Sequence, residues 1–127
     1  MKKEVDNWLR QAQSDLIAAG NSLKSKNYDW SCFQAQQAAE KALKALYLQT
    51  FKEIRKVHDL TFLAKKLEFP DELLNSCIRL NKVYLETRYP NAEEEIPALK
   101  LTEKDAKNSL EDASSILKWL TKKLSIN

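Results

Sequence analysis

The sequence is poor in the residues on which several common folds and sites depend. Its 127 residues include one glycine, three prolines, two cysteines and one histidine. A glycine-rich phosphate loop, a dinucleotide-binding fingerprint and a turn-rich all-β fold all need more glycine than this. Cys32 and Cys77 are too few for a disulfide framework or a thiolate zinc cluster, and one imidazole excludes most zinc hydrolase sites within a single chain. We therefore expect no metal and no cofactor, and buried, hydrophobe-like cysteines.

Long hydrophobic runs are also missing. No stretch approaches the roughly 18 consecutive apolar residues of a membrane span. Residues 1–8 lack the apolar core of a signal peptide. The chain is 43% hydrophobic and 31% charged, a balance typical of one folded domain. We expect a single soluble domain over residues 1–127, located in the cytoplasm and without membrane contact.

Apolar residues recur at helical spacing along most of the chain. The pattern predicts five helices and no strands, at about residues 3–24, 30–51, 59–68, 70–87 and 102–124. Residues 87–101 contain two prolines and are predicted to form a long surface loop. The sequence therefore predicts an all-α fold, an antiparallel up-down bundle of four long helices plus one short helix.

Two stripes mark the second predicted helix. One contains small and apolar residues that allow close helix packing, so this should be the central helix: Ala35, Ala38, Ala39, Ala42, Leu43 and Leu46. The other presents amide and ammonium groups along a different face: Gln34, Gln37, Lys41 and Lys44. Asp29 is the predicted N-cap of this helix, Asp59 caps the third helix, and Thr102–Asp105 fits a loose capping box before the last one.

The positive charge of the chain is local. The formal net charge is +3, and residues 52–66 alone carry an excess of three positive charges. Beside Lys41 and Lys44, such a patch would attract the phosphate groups of a nucleotide or RNA. The alternative is an ordinary solvated corner of the bundle, since no aromatic residues alternate with the basic ones to suggest base stacking.

Two further segments carry candidate site residues. His58 could bind phosphate or transfer a proton near neutral pH, or it could simply pack at the entrance of the third helix. Arg88 could hold a phosphate while Tyr84 or Tyr89 stacks on a base. Alternatively, Arg88 pairs with the acidic run Glu93–Glu95.

These segments, in this order and spacing, resemble the HEPN domains, small helical modules of prokaryotes and higher eukaryotes. The resemblance covers nearly the whole chain and rests on Trp8 with Ala12, Asp15 and Leu16, on Phe33–Lys44, on His58–Leu60, on Tyr84 with Arg88–Pro90, and on Ile116–Leu120. It implies a bundle similar to the helical domain associated with nucleotidyltransferases, often a homodimer. It also implies nucleotide binding and a minimal nucleotidyltransferase as partner, in a toxin–antitoxin-like two-component system.

Many HEPN domains are regarded as metal-independent ribonucleases with an arginine separated from a histidine by four to six residues. Here that arginine would occupy one of three positions, which hold Phe51, Lys52 and Glu53. Arg55 is too close to His58, and a lysine lacks the planar fork of arginine that clamps a phosphate. The signature is absent, which favours a binding module over an enzyme.

Three hypotheses follow from the sequence. The first is a nucleotide- or phosphate-binding module, with these ligand contacts: Lys41, Lys44, His58, Tyr84, Arg88 and Tyr89. The second is a ribonuclease toxin in which His58 is the general acid/base and Arg88 or Arg55 stabilises the transition state. The third is a structural protein-interaction domain with one of its tryptophans at the interface: Trp8, Trp30 or Trp119.

Overall fold

The computed structural model describes residues 2–88, 90 and 95–126. In that part of the chain it contains six helices and no strand. The helices are α1 (Lys3–Lys24), α2 (Tyr28–Phe51), α3 (Leu60–Lys66), α4 (Asp71–Arg88), α5 (Pro97–Lys100) and α6 (Glu103–Ile126). The predicted all-α bundle with four long helices is confirmed. The prediction of one short helix is wrong, because the structure contains two, α3 and α5.

Helices α1 and α2 form an antiparallel hairpin. The Ser31 hydroxyl donates to the Ala19 carbonyl at 2.8 Å, and the side chains of Ser22 and Gln34 form a hydrogen bond of 2.6 Å. These contacts pair later residues of α1 with earlier residues of α2, as an antiparallel arrangement requires. The link of three residues between the two helices is typical of antiparallel neighbours.

Helix α2 lies at the centre of the bundle and contacts every other described helix. Five of its alanines are fully buried: Ala35, Ala38, Ala39, Ala42 and Ala45. Alanine side chains leave room for neighbouring backbones to approach, so one helix can pack against several partners at once. The predicted central position of this helix is confirmed.

The helix starts follow two of the three predicted caps. The Asp59 carboxylate accepts hydrogen bonds from the backbone amides of Thr61 and Phe62, as an N-cap does. Before α6, the side chains of Thr102 and Asp105 each accept a hydrogen bond from the other's backbone amide. The predicted N-cap at Asp29 is wrong.

The predicted loop over 87–101 is wrong for residues 97–100, which form α5. Pro97 is the first residue of this turn, where its fixed φ suits a helix and its missing N–H costs nothing. Leu101 follows directly and is buried, in a cluster with Cys32 and Ala106. The single turn of α5 therefore brings the apolar side chain of Leu101 into contact with the bundle.

Both cysteines are free and buried, as predicted. Burial raises the pKa of the Cys32 thiol to about 11 and that of Cys77 to about 12. Both are therefore neutral, small hydrophobic side chains at physiological pH. None of the helices in residues 2–88, 90 and 95–126 combines the length with the apolar character that a membrane span requires.

Candidate functional site

A buried carboxylate on α2, that of Glu40, lies among other polar side chains. It accepts hydrogen bonds from Lys44 Nζ at 3.0 Å, from His58 Nδ1 at 3.0 Å and from Gln36 Nε2 at 3.2 Å. The Glu40 side chain is only 5% exposed. A buried carboxylate is stable only when its oxygens are fully hydrogen-bonded, and these three donors meet that need.

The segment before α3 holds His58 between α2 and α4. The backbone amide of Leu60 donates to Asn81 Oδ1 at 3.0 Å, and Asn81 Nδ2 donates to the Asp59 carboxylate at 2.8 Å. Asn81 belongs to α4, so this pair of hydrogen bonds attaches the segment to that helix. The same Asp59 carboxylate that caps α3 therefore also fixes the backbone beside His58.

The contact with Glu40 determines which nitrogen of His58 carries a proton. An ionised carboxylate only accepts hydrogen bonds, so Nδ1 must be the donor. The other ring nitrogen, Nε2, has no partner within the described ranges, and the His58 side chain is 65% exposed. This arrangement fixes the ring orientation while Nε2 stays available to a ligand.

Aromatic rings connect His58 to the C-terminal end of α4. The Tyr84 ring is stacked with the His58 ring at a centroid distance of 5.7 Å and with the Phe33 ring at 6.0 Å. Arg88 Nη1 donates to the Tyr84 hydroxyl at 2.8 Å. The Arg88 guanidinium also lies 5.5 Å from the centre of the Tyr84 ring. Tyr84 thus contacts both His58 and Arg88.

The structure brings four of the six predicted site residues into one chain of contacts. Lys44 reaches His58 through Glu40, and His58 reaches Arg88 through Tyr84. Of the remaining two, Tyr89 lies outside the described residues, as do two of the three glutamates of the predicted pair with Arg88.

Lys41 lies in another place, between α1 and α2. It forms an ion pair with Asp15 of α1. It also lines a separate cavity of about 390 Å³ with Trp8 and Ile54. The structure does not unite Lys41 with the His58 cluster.

Sequence reasoning missed two features of this region. One is Glu40 itself, which a pattern of polar residues on a helix does not distinguish from a solvated glutamate. The other is a cavity of about 200 Å³ at the end of the cluster, lined by Asp29, Trp30, Phe33, Thr87 and Arg88.

The basic segment lies on the surface. The side chains of all five of its basic residues are exposed: Lys52, Arg55, Lys56, Lys65 and Lys66. The Arg55 guanidinium lies 5.1 Å from the centre of the Phe62 ring, with Lys66 Nζ 5.9 Å from the same ring. In the part of the chain that the structure describes, no group of three or more acidic, histidine or cysteine residues is arranged to hold a metal ion.

The described residues thus form a small all-helical module with a central alanine-rich helix. The HEPN domain model matches residues 5–124, and the chain belongs to this family. No curated protein shows significant similarity to the chain.

Solved structures agree in fold over nearly the full length. The chain is 35% identical to TT1696 from Thermus thermophilus, with a TM-score of 0.87, covering 96% of this chain and 99% of that one. It is 34% identical to ST0689, an archaeal HEPN homologue, with a TM-score of 0.81 and coverage of 97% and 98%. An HEPN domain protein of Thermotoga maritima is 27% identical, with a TM-score of 0.75 and coverage of 94% and 98%.

Proposed function

We propose that this HEPN domain binds a nucleotide, or another phosphate-bearing ligand, at the surface formed by His58, Tyr84 and Arg88. We refer to these three residues as the His58–Arg88 surface. One observation carries the proposal: an imidazole and a guanidinium from different elements both lie within 6 Å of one tyrosine ring, at 5.7 and 5.5 Å. The guanidinium donates hydrogen bonds to a phosphate, and the imidazole does so through Nε2 when both of its nitrogens carry a proton.

The availability of donors supports this choice of residues. The Lys44 ammonium is engaged by the buried Glu40 carboxylate. The Arg88 side chain is exposed, and its one hydrogen bond to a described residue uses Nη1 alone. Most of the five N–H groups of that guanidinium therefore remain for a ligand. His58 and Arg88 are thus the main phosphate contacts, and Lys44 acts through the orientation of Glu40.

Calorimetric titration with ATP and GTP in low salt tests the proposal. Each charge-assisted hydrogen bond to phosphate contributes about 1.5–3 kcal/mol, so Arg88→Ala and His58→Ala should each weaken binding at least about tenfold. Lys82→Ala is the matched control, because it removes an exposed cation from the same helix without touching the cluster. Unchanged affinity in both cluster variants, or no binding by the wild type, would refute the proposal.

Salt dependence separates a mononucleotide from RNA. Two phosphate contacts on a single strand predict a slope of log K against log salt of about −1.4, at about −0.7 per contact. A strand that also followed the basic segment 52–66 would add contacts and give a steeper slope. A shallow slope for both ligands supports a site confined to His58 and Arg88.

Ribonuclease activity is the second candidate, and one observation favours it. The Glu40 carboxylate holds His58 Nδ1 and leaves Nε2 exposed, which is the arrangement of a general acid/base. Against it, the arginine–histidine signature is absent from the sequence, so Arg88 or Arg55 would have to stabilise the transition state from another position. Wild-type protein that cleaves no RNA and does not arrest growth on overexpression would end this candidate. Cleavage abolished by His58→Ala would establish it.

We also propose that the domain is a homodimer and works with a minimal nucleotidyltransferase in a toxin–antitoxin-like pair. HEPN family membership supports both statements. Light scattering of the purified protein measures its mass, and a monomer across the micromolar range would refute the dimer. Genomic adjacency to a nucleotidyltransferase gene, followed by copurification of the two products, tests the pairing.

A further inference from the structure

The cavity beside the His58–Arg88 surface has the character of a binding site for a planar ring. We refer to it as the Trp30 recess, lined by Asp29, Trp30, Phe33, Thr87 and Arg88. Trp30 is 59% exposed, although tryptophan is usually well covered. Its ring meets that of Phe33 edge to face at 6.0 Å, which supports the tryptophan from one side. An exposed, supported indole is a stacking surface for a nucleobase.

Asp29 supplies this recess with an acceptor. The structure does not use this carboxylate as a helix cap, because the N-cap position of α2 is Asn27. Asp29 has no hydrogen bond or ion pair to any residue in 2–88, 90 or 95–126, although it lines the same recess as the cationic Arg88. A carboxylate and a guanidinium thus lie on one small cavity with aromatic walls.

The size and chemistry of the recess identify the group that fits it. A volume of about 200 Å³ is below the range of about 300–1,000 Å³ for a whole drug-sized ligand, so it suits one ring system. A carboxylate can only accept hydrogen bonds. Guanine presents two adjacent donors on its pairing edge, N1–H and the N2 amine. Adenine presents an acceptor beside its single donor group, so one contact with Asp29 would be repulsive.

We propose that the Trp30 recess selects guanine, with Asp29 accepting from N1–H and N2–H and the ring stacked on Trp30. The ligand is a guanine nucleotide whose phosphate reaches the neighbouring His58–Arg88 surface. Arg88 belongs to both places, since it lines the recess and contacts Tyr84. This inference rests on the proposed function and adds the identity of the base.

Titration with GTP, ITP and ATP tests the selectivity. Inosine has the N1–H donor of guanine but lacks the N2 amine, so the expected order of affinity is GTP, then ITP, then ATP. Each lost charge-assisted hydrogen bond should weaken binding about tenfold. The same order is expected for short single-stranded RNAs containing guanine, inosine or adenine if the base comes from RNA. Equal affinity for all bases, in both sets of ligands, overturns the inference.

Asp29→Asn is the decisive variant, because it removes the charge and one acceptor while it keeps the shape. GTP binding should weaken about tenfold and ATP binding should not weaken, so that the preference for guanine falls by at least about tenfold. Asp71→Asn is the matched control, since it removes a first-turn acidic residue from α4 at the end away from the recess. The preference of Asp71→Asn for GTP over ATP should equal that of the wild type. A guanine preference in Asp29→Asn that is as large as that of the wild type also overturns the inference.

The outcome distinguishes this inference from the proposed function. If GTP and ATP bind equally and Arg88→Ala weakens both, phosphate binding stands and guanine selection fails. If neither binds the wild-type protein in low salt, the proposed function itself fails. Trp30→Ala provides a further check, because loss of stacking should weaken GTP and ATP alike, by a factor of about five or more.

Discussion

Replacing Glu40 with alanine should destabilise the bundle by about 3–5 kcal/mol, because it leaves the Lys44 ammonium buried without its partner. The Lys44 side chain is 10% exposed, and its Nζ lies 3.0 Å from Glu40 Oε2. The variant also removes the acceptor of Gln36 Nε2. Since a domain of this kind is stable by about 5–15 kcal/mol in total, the loss would be a large part of its stability.

The chain contains a matched control for this prediction. Glu103 and Lys107 have the same spacing of four residues on a helix and are 3.1 Å apart, but their side chains are 57% and 62% exposed. Water solvates the Lys107 ammonium after the Glu103 carboxylate is removed, so Glu103→Ala should cost less than about 1 kcal/mol. Each variant removes one ion pair, so the difference between their losses of unfolding free energy measures the effect of burial.

Urea denaturation followed by circular dichroism provides the measurement. The double variant Glu40→Leu with Lys44→Leu should recover most of the loss, because it removes both charges and fills the space with apolar side chains. The coupling energy between the two positions should exceed about 1.5 kcal/mol. A loss below about 1 kcal/mol for Glu40→Ala, or additive effects in the double variant, would show that Lys44 is solvated and the reasoning wrong.

Three smaller effects follow from local geometry. Hydrogen bonds, chiefly from the Thr61 hydroxyl, lower the pKa of Asp59 from its ordinary 3.8. Its contribution to stability is therefore complete well above pH 3.8 and is lost below that value, as the pH falls through the lowered pKa. Asp59→Ala should cost about 1 kcal/mol in urea denaturation at pH 7 and less at pH 3. The raised pKa values of Cys32 and Cys77 predict that neither thiol reacts with Ellman's reagent in the native protein at pH 8, whereas both react after unfolding in urea. Glu68 has a φ of 56°, so Glu68→Gly should raise the free energy of unfolding by up to about 1 kcal/mol, and a decrease would contradict this reading of its backbone.

Most of the fold was predictable because long helices repeat their signal. Four helices of 18 to 24 residues each present several turns of the apolar pattern, so the accidental position of one residue matters little. The four residues of α5 make a single turn and show no period. Its remaining signals were Pro97 and the apolar Leu101, and neither is specific. The cap of α2 was mistaken for a related reason, because Asn27 and Asp29 are both residues that favour helix starts.

The candidate site shows what helical spacing leaves undecided. Lys44 lies three residues after Lys41 and four after Glu40, so it belongs to two possible stripes. The sequence interpretation followed Gln37, Lys41 and Lys44, whereas the structure aligns Gln36, Glu40 and Lys44 as a buried hydrogen-bonded column. Steps of three and of four are both neighbours on a helix surface. The choice depends on which side the other helices cover, and that is a property of tertiary packing.

Pairing also changes what the positive charge of the sequence means. A count of basic residues treats Lys41, Lys44 and Arg88 as three equivalent attractions for phosphate. In the folded chain Lys41 forms an ion pair with Asp15 and Lys44 forms one with Glu40. The first pair connects α2 to α1, and the second lies within α2. Arg88 instead donates a hydrogen bond to the Tyr84 hydroxyl, and no carboxylate of a described residue forms an ion pair with it. Of the nitrogen donors among the predicted ligand contacts, this leaves His58 and Arg88, and the specificity of such a site must come from the groups around them rather than from net charge.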